Sequence, residues 1–414
     1  MSDAAVLFLL ILEAALALWL LWKERLMAQG WVAVLCTVLV ALAFAVRAAY
    51  FDYETLDYQN FLTRWVSYYR DNGGFRALKD SVGNYNIPYL YFLAFFSYLP
   101  VRDLYLIKLL SVFFDVLLAW AAMKLVGRVT REPVMLLGVY FAVLFWPTVF
   151  LNGALWGQCD SIYVAFALLG LWLALDEKPV GSMAMMAISF GFKLQAVFVL
   201  PVCAVLLMYR KYKWWHLLVF PATYVLLVLP AVLLGRPFWD TITLYLDQTG
   251  SVGSGLNYNS PSIFAIFWHI PDAQQEQAAK IGIIAAALYM LDLLAIAFIK
   301  REKLTDRSIL AFSLLFAIGI PFLLPHMHDR YFYAADILSL VLAFAMPLML
   351  LTAPLVEFAS LLGYHAYLKM RYLLYMYYGS GALLVALALA GVGLALSFGE
   401  QAARKKRTSK RKRA

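Results

Sequence analysis

The densest collection of reactive side chains is the run Pro325-His326-Met327-His328-Asp329-Arg330-Tyr331-Phe332-Tyr333, with two imidazoles, a carboxylate and a guanidinium side by side. His326, His328 and Asp329 can be read as metal ligands. Histidines one residue apart project poorly into one site on a helix, however, and no third histidine lies near them, so no metal is assigned. Arg330 beside the histidines suits a phosphate better, because guanidinium binds phosphate oxygens as a fork.

Asn152-Gly153-Ala154-Leu155-Trp156-Gly157-Gln158-Cys159-Asp160-Ser161 places Asn152, Gln158 and Asp160 between two apolar runs. Amide and carboxylate groups are poor lipid-facing choices. The cluster reads either as a turn whose polar groups satisfy helix ends or as a polar pocket for sugar hydroxyls. Asn86 and Gln195 are candidates for the same pocket. Lys193 is the only basic residue between Lys178 and Arg210. Near a bilayer centre a lysine costs roughly 2.5 to 3.5 kcal/mol on insertion scales, so it either snorkels or has an anionic partner, for which a phosphate is the sharper choice.

A third region opens Phe51-Asp52-Tyr53-Glu54-Thr55-Leu56-Asp57-Tyr58. Tyr58, Phe61, Leu62, Trp65, Tyr68 and Tyr69 then fall at helical spacing, which predicts an amphipathic helix at the membrane surface with Asp57 at or just before its first turn. An aspartate there is an N-terminal cap or dipole partner, or a carboxylate at a cavity mouth able to take a proton from an incoming hydroxyl. Asp52 and Glu54 compete for that second role, although Asp57 is best placed to be held rigidly.

The elements that position these groups are membrane helices. Of 414 residues 64% are hydrophobic and 14% charged, far from the roughly 25% charged of soluble domains. Apolar runs of spanning length recur throughout, and lipid forces such runs to be helical. The fold class is all-α and polytopic, with about thirteen spans near 4–22, 31–49, 104–126, 133–151, 158–175, 181–191, 196–209, 214–235, 276–300, 308–324, 329–346, 348–366 and 372–397. The first run lacks a basic n-region and a small-residue cleavage site, so it is expected to be retained. Cys36, Cys159 and Cys203 form no CxxC pair and support neither a disulfide framework nor a zinc site.

Alternate threading puts Lys124, Arg128 and Arg131, then Arg210, Lys211 and Lys213, then Lys300, Arg301, Lys303 and Arg307 on one face with the basic tail. The positive-inside rule makes that face cytoplasmic and gathers the polar motifs on the exterior. Residues 87–99 are too short to span; counting them would invert every later loop, so they are read as an in-plane or re-entrant helix. The short pair 181–191 and 196–209 should meet at Gly191-Phe192-Lys193-Leu194-Gln195, with a lysine and free backbone ends in a cavity. The chain is one membrane domain, 1–399, with an exterior loop carrying in-plane helices at 51–103 and a basic cytoplasmic tail at 400–414 that suits anionic lipid rather than nucleic acid.

Taken in order, these motifs resemble the GT-C superfamily of membrane glycosyltransferases, and within it the bacterial relatives of the eukaryotic GPI mannosyltransferase that adds the second mannose. The resemblance rests on Asp57-Tyr58, Gly73-Gly74-Phe75, Asn84-Tyr85-Asn86-Ile87-Pro88-Tyr89-Leu90-Tyr91, Trp156-Gly157-Gln158-Cys159-Asp160-Ser161-Ile162-Tyr163, Phe190-Gly191-Phe192-Lys193-Leu194-Gln195 and Pro325-His326-Met327-His328-Asp329-Arg330-Tyr331-Phe332. Such enzymes move one sugar, with inversion, from a polyprenyl-phosphate carrier to a lipid or glycan acceptor on the exterior or lumenal face. The resemblance implies Asp57 as general base, Arg330 with His326 and His328 at the donor phosphate, and Lys193 as a second phosphate contact. His328-Asp329-Arg330 looks like the His-Glu-Lys turn of related lipid-linked glucosyltransferases. Ile87 stands where relatives often have the first of two prolines, and Asp329 replaces a common glutamate. Mannose is the favoured sugar, the bacterial plasma membrane the expected location, and no cofactor is required, although a divalent cation is compatible. A transporter or flippase of a lipid-linked saccharide needs a similar helix set, but predicts polar groups along a path to both faces.

Overall fold

A computed structural model describes residues 4–246, 255–267 and 269–411, with side chains described up to residue 399. The basic side chains of the tail, and residues 247–254 and 268 of the loop after Arg236, lie outside the described set. The fold is helical as expected, with one two-residue parallel pairing of Asn257–Tyr258 against Met327–His328 among the described residues.

Eight described helices are long and apolar enough to cross a membrane: Ala4–Lys23, Gly30–Ala48, Asp103–Val126, Trp214–Leu233, Asp272–Ile299, Asp306–Leu323, Pro347–Leu368 and Met376–Gly399. A ninth span is the pair Pro133–Phe145 and Pro147–Trp156, bent by 45°. The four other expected spans are filled by shorter apolar helices, Asp160–Leu175, Pro179–Phe192, Leu194–Met208 and Tyr333–Ala345. The count of thirteen therefore treats these short elements as full crossings, which their lengths alone do not establish. Asp103–Val126 and Asp306–Leu323 form the centre, with 78% and 83% of their spanning windows buried. The two N-terminal helices lie at the periphery.

The bend follows from proline chemistry. Pro147 removes a backbone donor and pushes Trp146 into an extended conformation, so the helix stops and restarts. Beyond it the chain widens into a π-helical turn over Leu151–Trp156 and leaves through Gly157 at φ +76°. A side chain on a residue with that backbone is disfavoured, and glycine is not.

The loop expected at 51–103 contains a π turn at Tyr58–Leu62, an α-helix at Thr63–Asp71 and a 3₁₀ turn at Gly74–Lys79. It ends in the ten-residue helix Ile87–Phe96. Ten residues rise only ~15 Å, too little for a crossing, and this helix packs on the other loop elements instead. The expected amphipathic face is split, because the π turn shifts the phase. Tyr58, Leu62, Val66 and Tyr69 are buried while Phe61 is exposed. Gly83, at φ +68°, lies so close to Trp65 that an added Cβ would fall 2.4 Å from the indole.

Ion pairs confirm which loop ends lie together. Lys124 meets Glu24 at 2.9 Å, Arg128 meets Asp176 at 3.0 Å and Asp306 at 3.6 Å, and Lys211 meets Glu177 at 3.2 Å. Lys108 is ~24 Å from Lys124 along the same helix, and it belongs to the opposite end, where the loop 51–103 sits. Midway, the buried Arg47 donates to Asp115 at 3.0 Å and to the carbonyls of Ala43 and Leu144 at 3.1 and 2.9 Å. Removing one partner of a buried pair strands the other charge. Asp115→Ala is therefore expected to cost about 3–5 kcal/mol, read as a lowered unfolding temperature in detergent. The double replacement Arg47→Met with Asp115→Leu should recover most of the loss. An unchanged temperature in the single variant would show that the pair carries no structural weight.

Candidate active site

Asp57 lies in the first turn of the helical stretch, directly before the π turn Tyr58–Leu62, but it does not cap it: its side chain makes no cap hydrogen bond. Thr55 serves there, its hydroxyl accepting from the Tyr58 amide at 3.4 Å while donating to the Trp156 carbonyl at 3.1 Å. The Asp57 carboxylate instead points inward. Its Oδ2 accepts from the Trp156 indole at 2.9 Å and the Gln158 amide at 2.7 Å, and its Oδ1 accepts from the Tyr367 hydroxyl. The competing carboxylates are engaged elsewhere. Asp52 accepts from the Tyr105 hydroxyl at 2.8 Å, and Glu54 is paired with Arg102.

Asp57 lines a cavity of about 420 Å³ together with Phe61, Leu62, Trp65, Asn84, Tyr85, Gln158, Tyr258, Asn259, His328, Asp329, Arg330 and Tyr367. Neither Asp52 nor Glu54 lines it. The loop carrying Asp57 is held from beneath by Lys108. Its buried ammonium donates to the carbonyls of Tyr50, Phe51 and Tyr53 at 2.7, 3.1 and 2.7 Å, which uses all three of its protons.

Beside Asp57, Arg330 lies over the Trp156 ring at 5.0 Å. Its Nη2 is 3.7 Å from Asp57 Oδ2 and its Nε 3.8 Å from Asp329 Oδ1, beyond hydrogen-bond length in both cases. The Nε and Nη1 atoms are buried without a hydrogen-bond partner. Guanidinium donors left unmade in the interior are costly, and here they border a cavity that could admit an anion.

His328 lines the cavity, its ring stacked on Tyr258 at 4.7 Å. Burial, reinforced by the Arg330 charge, pushes its imidazole down to about 4, so it is neutral near pH 7. His326 is elsewhere. At φ +62° it forms a pin, its amide donating to the Leu256 carbonyl and its Nδ1 lying 2.8 Å from the Gly255 carbonyl. The two imidazoles thus face different partners, and among the described residues no group of three or more His, Cys, Asp or Glu side chains is placed to hold a metal.

Lys193 interrupts the short helix pair in an extended conformation at φ −154°, as the broken-pair reading expects. Its ammonium is paired with Asp160 behind Tyr85, 5.7 Å from that ring, and it does not line the cavity. The expectation of a direct phosphate contact is not what the geometry presents: the lysine's anionic partner is a carboxylate of the chain itself. Asp160 also accepts from Asn152 at 2.8 Å, and the same Asn152 amide group reaches the Tyr364 hydroxyl at 2.9 Å. Asn152 and Asp160 are therefore internal struts. Asn86 is a helix cap, its Oδ1 accepting from the Ile87 amide at 2.8 Å and its amide donating to Tyr224 at 2.9 Å. Gln195 keeps a buried Oε1 without a partner, away from the cavity lining. Of the five expected pocket residues only Gln158 reaches the cavity, where it also accepts from the Tyr85 hydroxyl at 2.9 Å.

Tyr367, Trp156 and Lys108 were not singled out by sequence reasoning as site groups. Trp156 stood inside a quoted motif, and Lys108 was legible as a lone cation in an apolar run. Tyr367 carries no local signal, because its role arises only when the helix Thr352–Leu368 folds back on the first loop.

A bundle of membrane helices thus encloses a cavity lined by a carboxylate and an unsatisfied guanidinium. The model of glycosyltransferase family 87 (GT87) matches residues 84–323, more than half of the chain, and the chain belongs to that family. It is a glycosyltransferase and an integral membrane protein. No curated protein matches it. The matched segment contains Gln158, Asp160 and Lys193, whereas Asp57 and Arg330 flank it. The specific likeness to the GPI mannosyltransferase is not established by this match.

Two measurements test the geometry. Lys108→Met removes the clasp under the Asp57 loop and should lower kcat by up to about a hundredfold, the effect expected when a reacting group is displaced by about 1 Å, while KM for the donor and the unfolding temperature in detergent change little; a lowered unfolding temperature would point to general misfolding. Burial pushes the Asp329 carboxyl up to about 7, against the pull of Arg330, so it gains charge as pH rises through neutrality. That charge then competes with any anion for Arg330. KM for an anionic donor should rise between pH 6 and 8, and Asp329→Asn should flatten the profile.

Proposed function

We propose that the protein transfers a single hexose, with mannose favoured by the family resemblance, from a polyprenyl-phosphate carrier to a lipid or glycan acceptor with inversion. The observation that carries this reading is Arg330: two buried donors without partners, beside Asp57 on the lining of one cavity. A phosphodiester oxygen supplies what those donors lack. The basic loop ends lie at the other end of the bundle, and the positive-inside rule makes that end cytoplasmic. The cavity then faces the extracytoplasmic side of the membrane, taken to be a bacterial plasma membrane, where a lipid carrier rather than a nucleotide sugar is the donor.

In this mechanism Asp57 accepts the proton of the acceptor hydroxyl as that oxygen bonds to the anomeric carbon. The bond from the anomeric carbon to the phosphate oxygen breaks on the opposite side of the sugar. Its electron pair goes to the phosphate, whose added charge Arg330 stabilises. Neutral His328 borders the same space and can donate one hydrogen bond there. Lys193 acts at a distance, through its pair with Asp160. No step requires a metal.

Asp57→Asn is nearly isosteric and should reduce transfer from a polyprenyl-phosphate sugar by at least 10²-fold, the lower range for a lost general base, with thermal stability retained. Near-normal transfer would remove Asp57 from the role. Arg330→Ala should chiefly weaken use of the donor, and unchanged donor kinetics would leave Arg330 as a structural anchor. Radiolabelled polyprenyl-phosphate mannose, glucose and arabinose, offered separately, decide the sugar.

A further inference from the structure

A second cavity lies at the other end of the bundle. It occupies about 530 Å³ between the helices Asp272–Ile299 and Met376–Arg411, both of which pack on Asp306–Leu323. Its walls are Tyr289, Leu293 and Ile296 on one side and Leu387, Gly391 and Phe398 on the other, with Leu315 between them. The tyrosine hydroxyl is spent on the Leu315 carbonyl at 3.0 Å, so the interior offers almost no polar group. From Tyr289 to Lys300 the groove runs ~16 Å along the helix.

Two features make this groove more than ordinary lipid-facing surface. Small residues at Ala388, Gly391 and Ala395 recur at the spacing that lets membrane helices pack closely, yet a Cβ at Gly391 would meet nothing within 4 Å. The groove is also charged at one end only. Lys300 is its single charged lining residue, Arg301 and Lys303 follow it, and the sequence of the opposing helix continues into Arg404-Lys405-Lys406-Arg407, beginning ~9 Å past Phe398. An apolar slot with cations at its water end matches the shape and charge of one phospholipid leg.

We propose that this groove binds an anionic membrane phospholipid, one acyl chain lying along Tyr289 to Phe398 and the phosphate headgroup held by Lys300. The site is separate from the Asp57 cavity. Helix Asp306–Leu323 begins beside Lys300 and ends near His326, so a headgroup at Lys300 lies in the leaflet opposite to the candidate active site. A donor lipid presenting its phosphate to Arg330 cannot also present it here.

The test is native mass spectrometry of the full-length protein released from membranes containing equal phosphatidylglycerol and phosphatidylcholine. Wild type should retain one phosphatidylglycerol with a preference of about fivefold, the effect expected of one lysine near an anionic headgroup. Lys300→Gln, an exposed and conservative change, should abolish the preference but not occupancy. Gly391→Leu projects into the open slot and should remove the retained lipid altogether. Equal retention of the two lipids by wild type, or undiminished retention by Gly391→Leu, overturns the proposal. So does finding a polyprenyl phosphate in the slot instead.

Discussion

The Asp57 carboxylate holds the candidate site together. A carboxylate offers about four lone-pair positions; three are taken by Trp156, Gln158 and Tyr367. These donors come from the turn after the bent helix and from a helix near the C-terminus, so one carboxylate fastens three distant stretches of chain around a cavity. The remaining position is open to that cavity. The proposed base role draws on this arrangement, since a carboxylate fixed by neutral donors keeps its orientation while Arg330, at 3.7 Å, stays beyond hydrogen-bond length.

The same economy governs the rest of the interior. Lipid and packed helices give no water to a buried charge, so each needs an internal partner. Arg47 has Asp115, Lys193 has Asp160, and Lys108 has three carbonyls. Against that background Arg330 stands out. Its nearest carboxylate oxygens are 3.7 and 3.8 Å away and two of its nitrogens make no hydrogen bond. A guanidinium that lies between two carboxylates and hydrogen-bonds to neither is the group on which the proposed phosphate contact rests.

Much of this was legible in the sequence because membrane helices announce themselves by length and apolarity. The break at Lys193, the short helix at Ile87–Phe96 and the common end shared by the polar loops follow from counting residues against bilayer thickness and charge against sidedness. What sequence conveyed poorly was which polar group faces which. Asn86, Asn152 and Asp160 look like pocket residues because they are costly in lipid, but burying them against partners removes that cost equally well, as their hydrogen bonds show. The π turns at Tyr58–Leu62 and Leu151–Trp156 add a further obstacle. Each shifts the helical phase, so Phe61 and Trp65 face the cavity while Tyr58 and Tyr69 turn into the core.

The placement of Lys193 changes how the charge in the site must be apportioned. An ammonium already neutralised by Asp160 contributes little net field to a phosphate on the far side of Tyr85. Its pair instead belongs to a buried chain from Lys193 through Asp160 and Asn152 to Tyr364, and the Tyr364 ring packs edge-on against Trp156 at 5.3 Å. Trp156 in turn donates to Asp57 on one side and carries Arg330 over its ring. The matched segment thus supplies most of a floor that Tyr364 completes, and the two charged groups resting on it come from the flanking sequence on either side. In the proposed reaction, stabilisation of a departing phosphate then falls chiefly on one cation, so the loss from replacing Lys193 should track the loss of Trp156 orientation rather than the loss of a positive charge.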